Sequence, residues 1–113
     1  FTPVGWLMGV AWKDAHDVGT LLGQQVVATE FVAYLDLARM SREQQIDPRT
    51  AQIATYALCG FANLASIGIQ IGGLAAIAPE RRSEFASLAP RAMLAGAMAC
   101  WMTGCVASVF IPI

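Results

Sequence analysis

Charged side chains are scarce in this sequence. Asp, Glu, Lys and Arg together make up 13% of its 113 residues, against about 25% in soluble domains. Hydrophobic residues make up 57%, and the net charge at pH 7 is −1. There is no Arg/Lys-rich run and no alternation of basic and aromatic residues, so nothing indicates nucleic-acid binding. The low charge and the long uncharged runs predict a membrane protein.

Residues that commonly build catalytic and metal sites are also few. The one histidine, His16, lies in a short polar segment, and the three cysteines have neither zinc-site spacing nor a Cys-x-x-Cys pair. The phosphate-binding Gly-Lys-Ser/Thr loop, the Gly-x-Gly-x-x-Gly motif and the His-Glu-x-x-His motif are absent. We therefore predict no enzymatic activity, no metal site and no cofactor. The cysteines are interpreted as small packing residues: Cys59, Cys100 and Cys105.

What the sequence does contain is a long uncharged run, Thr50 to Pro79. Its 30 residues exceed the roughly 20 that a helix needs to cross a bilayer. Gly60 and Asn63 lie near its middle, and Ser66 and Gln70 follow at helical spacing. Glycine weakens a helix, and polar side chains need partners that lipid cannot provide. The run predicts either a broken helix whose free backbone groups line a binding site, or a continuous helix whose polar groups bind neighbouring helices.

A second informative region surrounds Glu30. Residues 18–29 are uncharged, and a short apolar stretch follows Glu30 before Asp36. Neither half is long enough to cross a bilayer of about 30 Å as a helix. This pattern predicts a re-entrant hairpin at residues 18–39 with Glu30 at its tip, where Thr29 and Glu30 cap the second half. A carboxylate inside the membrane is costly and marks a functional site. The alternative is an amphipathic helix with Glu30 on its polar face.

The remaining segments complete an all-α membrane arrangement. The chain reads as a piece of a longer protein, and residues 1–17 are expected to be the end of a preceding element and a surface turn. After the hairpin we expect a transmembrane segment at 48–77 and a last transmembrane helix in the uncharged residues 92–113. Small residues recur at every fourth position of the last helix, which favours close packing between helices in lipid: Ala92, Gly96, Cys100, Gly104 and Ser108.

Several stretches of the sequence resemble the concentrative nucleoside transporters. They are Thr29-Glu30-Phe31-Val32-Ala33-Tyr34-Leu35-Asp36-Leu37, the run that contains Cys59-Gly60-Phe61-Ala62-Asn63, residues 66–73, and Ala78-Pro79-Glu80-Arg81-Arg82. The resemblance covers nearly the whole chain and is to the C-terminal region of that family. It implies that the re-entrant hairpin, a broken transmembrane helix at 48–77 and a last transmembrane helix at 84–111 form one inverted-topology repeat. It also implies a homotrimer in the lipid of the plasma or inner membrane.

The resemblance further implies concentrative uptake of nucleosides, coupled to sodium or protons. Carried over by position, Glu30, Asn63 and Ser66 hold the ribose hydroxyls, and Phe61 packs near the nucleoside. In the family, the hairpin that contacts the base and carries the sodium ligands lies upstream, so ion ligands are expected outside residues 1–113. The alternative function is a non-transporting membrane assembly subunit that packs through its small-residue helix.

Three positions depart from the family pattern. Thr29 stands where Asn usually precedes the hairpin Glu, Ala65 where Ser is frequent, and Gln25 where Lys is common. These departures bear on selectivity and fine geometry rather than on the class of protein. The sequence leaves open the coupling ion and the preference between purine and pyrimidine nucleosides.

Overall fold

The computed structural model describes residues 1–60 and 62–112. All regular structure in these two ranges is helical, in agreement with the predicted all-α class. The elements in chain order are α1 (Thr2–Leu7), α2 (Trp12–Val27), α3 (Glu30–Arg42), α4 (Pro48–Ala57), α5 (Leu64–Ile77), a 3₁₀ turn (Pro79–Arg81) and α6 (Arg82–Phe110).

Helices α2 and α3 form an antiparallel hairpin. Gln24 donates to the Asp36 carboxylate at 3.0 Å, and Gln45, just beyond α3, donates to Asp17 at 3.2 Å. The second pair of residues lies farther from the junction than the first on both arms, as expected for two antiparallel helices. At the junction, the Thr29 hydroxyl accepts from the Val32 N–H at 3.4 Å, as expected for the cap of the second arm.

The first arm of the hairpin begins at Trp12 rather than at the predicted residue 18. Residues 13–17, which we expected in a surface turn, form the first helical turns of this arm. Their sequence is polar, yet Ala15 is fully buried and Asp14 is only 3% exposed. One face of the helix start carries the exposed charges while the other packs into the protein, so the charge pattern did not show that this segment belongs to the hairpin.

The long uncharged run is broken in the structure, and the continuous-helix alternative is wrong. Helix α4 ends at Ala57, α5 begins at Leu64, and the described residues between them are not helical. Asn63 restarts the helix, because its Oδ1 accepts from the Ser66 N–H at 2.9 Å. In return, the Ser66 hydroxyl accepts from the Asn63 N–H at 3.2 Å. This capping box provides partners for two backbone donors that a helix start leaves free.

The core of the hairpin and of α4 is apolar, but a buried carboxylate links their ends. Asp14 of α2 accepts from the Thr50 hydroxyl at 2.7 Å and from the Asp47 N–H at 3.1 Å, so it caps α4 from another helix. The exposed Lys13 ammonium donates to Asp47 at 3.1 Å, and this hydrogen bond raises the pKa of Lys13. The largest fully buried apolar side chains nearby are Met8, Val18, Leu21, Leu22, Ile53 and Leu58.

Helix α6 packs along both halves of the broken helix through its small residues. A Cβ added to Gly104 would lie 3.0 Å from the Ala57 Cβ at the end of α4. A Cβ added to Gly96 would lie 3.5 Å from the Ala62 Cβ in the break. The stretch Pro79–Phe110 is long and apolar enough to cross a membrane, and in the described ranges no second helix meets that length criterion.

Replacing Gly104 by Ala should lower the stability of the full-length protein. The new methyl group would lie 3.0 Å from the Ala57 Cβ and 3.1 Å from the Met8 Sδ. Overpacking costs about 1–3 kcal/mol, which exceeds the about 0.5–1 kcal/mol gained by removing a helical glycine. In Gly96→Ala, the matched control, the methyl makes an ordinary contact with Ala62. The melting temperature in detergent should fall for Gly104→Ala alone, and an unchanged value would contradict this packing.

Replacing Asn63 should separate its capping role from its other contacts. Asn63→Ala removes the capping oxygen, which costs about 0.5–2 kcal/mol, whereas Asn63→Ser keeps an oxygen suited to the same position. We expect the melting temperature of the full-length protein to fall clearly in Asn63→Ala and less in Asn63→Ser. Equal losses in the two variants would show that the cap does not stabilise the restart of the helix.

Candidate functional site

The hairpin junction and the helix break meet at one point. Asn63 Nδ2 donates to the Glu30 Oε2 at 3.4 Å, and these two residues are 33 positions apart in the chain. Asn63 is 2% exposed, and Glu30 is half-buried at the first position of α3. Because the Asn63 Oδ1 is bound by the Ser66 N–H, the amino group is the part of the amide that faces Glu30. The capping box therefore also fixes the orientation of the Asn63 side chain.

Ser66 also contacts Asn63. Its hydroxyl donates to the Asn63 carbonyl at 2.6 Å and accepts from the Asn63 N–H at 3.2 Å. A serine hydroxyl has one proton and two lone pairs, so one lone pair of Ser66 is left to accept from a ligand. The predicted residues Glu30, Asn63 and Ser66 thus lie together. Phe61, the fourth predicted site residue, lies outside the described residues.

The free hydrogen-bonding capacity of this cluster is mainly that of an acceptor. The Glu30 Oε1 makes no hydrogen bond to the described residues, the Asn63 amino group has a second hydrogen, and Ser66 keeps a lone pair. These groups suit a neutral polar ligand with adjacent hydroxyl groups. Within the described ranges no group of three His, Cys, Asp or Glu residues could hold a metal ion.

A groove of about 250 Å³ extends from the break between α5 and α6. Ser66 and Gln70 supply its polar groups, and small residues of α6 form the facing wall. Its volume is below the roughly 300–1,000 Å³ of typical ligand pockets, so these helices provide only part of an enclosed cavity. Glu30 and Asn63 do not line this groove, and they do not line a larger opening of about 630 Å³, which lies at the start of α4 beside Gly9 and Arg49.

Two residues that sequence reasoning did not place at the site also link the hairpin to the broken helix. Gln25 is fully buried and donates to the Gly60 carbonyl at 3.2 Å. The Tyr34 hydroxyl donates to the Thr55 carbonyl at 2.8 Å. The sequence does indicate that Gln25 has a hydrogen-bond partner, since a polar side chain within an uncharged run requires one. The identity of that partner, 35 residues away, could not be read from the sequence.

Comparisons with known proteins identify the family. A family model described as the C-terminus of Na⁺-dependent nucleoside transporters matches residues 1–108. The human solute carrier family 28 member 3 is 43% identical over 122 residues, covering 96% of this chain and 18% of that protein. The putative nucleoside permease NupX of Escherichia coli is 42% identical over 110 residues, covering 96% of this chain and 26% of that protein.

The fold agrees with this assignment. A solved structure of CNTnw in an inward-facing substrate-bound state is 41% identical, superposes with a TM-score of 0.93, and covers 97% of this chain and 27% of that one. The chain therefore spans about a quarter or less of the length of the relatives named here. It belongs to the sodium-dependent nucleoside transporter family of multi-pass membrane proteins and corresponds to the family's C-terminal region.

Proposed function

We propose that this chain is part of a cation-coupled transporter for the concentrative uptake of nucleosides, and that it supplies the ribose-binding half of the substrate site. The observation that carries this proposal is the 3.4 Å contact between Asn63 at the helix break and Glu30 at the hairpin junction. Polar groups gathered at a helix break are the way in which transporters build sites at membrane depth. The relatives are named as nucleoside transporters and permeases, which supports nucleosides as the substrate.

The lengths of the hairpin helices support a re-entrant arrangement. Helix α2 has 16 residues and α3 has 13, which correspond to about 24 Å and about 20 Å at the α-helical rise. Both are shorter than the roughly 30 Å hydrocarbon core. Each arm can therefore enter the bilayer without crossing it, with the Glu30 junction inside the membrane.

The broken helix supports a site near the membrane midplane. Helix α4 has 10 residues and α5 has 14, or about 15 Å and about 21 Å. Neither half alone crosses the bilayer, but in series they do, and the break then falls inside the hydrocarbon core. Non-helical backbone at that depth is tolerated where it is buried in protein or lines a cavity, which is the setting of a substrate site.

The proposed ribose contacts use the free groups of the cluster. The Glu30 carboxylate accepts from two adjacent hydroxyls, Asn63 donates its second amide hydrogen, and Ser66 accepts. Phe61 is proposed to pack against the nucleoside. The base contacts and the ligands of the coupling ion, sodium or proton, are proposed to lie outside residues 1–113. The assembled transporter is proposed to be a homotrimer.

The alternative function, a non-transporting assembly subunit, loses its main support. It requires the small-residue face of α6 to be free for a partner. In this chain Gly96 faces Ala62 and Gly104 faces Ala57, so the same face already packs on both halves of the broken helix.

Transport by the full-length protein tests the proposal directly. Proteoliposomes that contain it should accumulate radiolabelled uridine against its concentration gradient when an inward ion gradient is present. Sodium and proton gradients are applied separately, so the experiment also identifies the coupling ion. Empty liposomes and liposomes without a gradient are the controls. If no uridine accumulates under either gradient, the proposed transport function is contradicted.

Substitutions at the cluster test the ribose contacts. Hydrogen bonds to a charged group contribute about 1.5–3 kcal/mol and neutral ones about 0.5–1.5 kcal/mol. Glu30→Gln should therefore weaken uridine binding roughly ten- to a hundred-fold, and Ser66→Ala roughly tenfold or less. The wild type should prefer uridine over 2′- and 3′-deoxyuridine, because a missing hydroxyl leaves an acceptor unpaired. That preference should shrink in Glu30→Gln.

Competition of the three nucleosides for uptake measures these effects. Asp36→Asn is the matched control, since it neutralises a carboxylate of the same hairpin that contacts Gln24 and Arg39 rather than the break. It should leave the sugar preference unchanged. Equal wild-type affinities for all three nucleosides, or unchanged uridine affinity in Glu30→Gln, would show that the cluster does not recognise the ribose.

A further inference from the structure

Gln25 is a fully buried polar side chain beside the helix break. It lies in the last turn of α2, and its Nε2 donates to the Gly60 carbonyl at 3.2 Å. A carbonyl oxygen can only accept, so the amino group of Gln25 is the part that faces Gly60. The other end of the amide, Oε1, is buried without a hydrogen-bond partner among the described residues. Gln25 therefore acts here as a donor.

The residue that Gln25 binds lies close to helix α6. Gly60 lies in the non-helical segment between α4 and α5, and a Cβ at this position would collide with the Cys100 Sγ of α6. Helix α6 therefore packs close to the Gly60 backbone, and Gln25 binds the Gly60 carbonyl. Asn63, which binds Glu30, follows three residues later.

The hairpin thus holds the break at two neighbouring points, Gln25 to Gly60 and Glu30 to Asn63. We propose that Gln25 is a positioning residue for the substrate site: it fixes the break through Gly60 and thereby the approach of Asn63 to Glu30. This inference rests on the proposed nucleoside site and adds a residue that does not touch the ligand. Without the Gln25 donor, the freed carbonyl reorients to find another partner, and the Asn63–Glu30 contact changes with it.

Three variants of the full-length protein isolate the donor. Gln25→Met keeps a side chain of similar length without a donor. Gln25→Lys keeps a donor and omits the oxygen, which has no partner to lose. Gln24→Met is the matched control, because Gln24 is the adjacent residue and donates to Asp36 within the hairpin rather than to the break.

Uridine uptake into proteoliposomes is the measurement. Gln25→Met should raise the KM for uridine by about tenfold, the scale of one lost hydrogen bond, and change Vmax less. It should also reduce the preference for uridine over 3′-deoxyuridine. Gln25→Lys should keep the wild-type KM and preference, and so should Gln24→Met. A residue that only stabilised the fold would lower the amount of active transporter and hence Vmax, without altering sugar preference.

A double variant tests the route of action. If Gln25 acts through Glu30, Gln25→Met should raise KM much less in a Glu30→Gln background than in the wild type. The inference would be overturned if Gln25→Met raised the KM by the same factor in both backgrounds. It would also be overturned if the Gln25→Lys protein had an altered sugar preference. If the Gln25→Met protein does not assemble, the KM and sugar preference of Gln25→Lys still test the positioning role. A wild type without ion-driven uptake contradicts the proposed function, whereas an active wild type with a neutral Gln25→Met contradicts only the positioning role.

Discussion

The reciprocal hydrogen bonds between Asn63 and Ser66 are the interaction on which the proposed site depends. A helix that starts inside a membrane leaves backbone N–H groups free, and lipid cannot bind them. The capping box binds two of these groups with two side chains of the same chain. Because the Asn63 oxygen is used in this way, its amino group is left to face Glu30. The contact that restarts the helix therefore also orients the side chain proposed to bind substrate.

The hairpin and the broken helix support each other through a series of polar contacts. Gln25 binds the Gly60 carbonyl, Asn63 binds Glu30, and the Tyr34 hydroxyl binds the Thr55 carbonyl. Two of these three bonds satisfy backbone carbonyls of the broken helix or its break. Behind them, the glycines of α6 let that helix approach closely. A ligand that binds between Glu30 and Asn63 would contact both elements at once and stabilise their relative position.

The three polar residues of the proposed site could be predicted from the sequence because each is a polar group in an apolar setting, whereas Phe61 was predicted only from the family resemblance. Glu30, Asn63 and Ser66 stand in or beside long uncharged runs, where an unpaired polar side chain is costly. The start of the hairpin was less readable. The charged residues at its N-terminus did not show that one face of this helix is buried, because the Asp14 carboxylate has its partner in Thr50, 36 residues away. A prediction from the sequence pattern treats a charged side chain in a polar segment as exposed.

The sequence by itself determined the all-α membrane class and the polar residues in the uncharged run near Gly60, but it left a broken and a continuous helix as alternatives there. The class and these polar residues are local properties of composition and spacing. Only the tertiary structure decided which way the Asn63 amide faces and which backbone group Gln25 binds. Both depend on how the hairpin packs against the break, across 33 and 35 residues of chain. That packing joins residues far apart in the chain, and no local pattern specifies which of them meet.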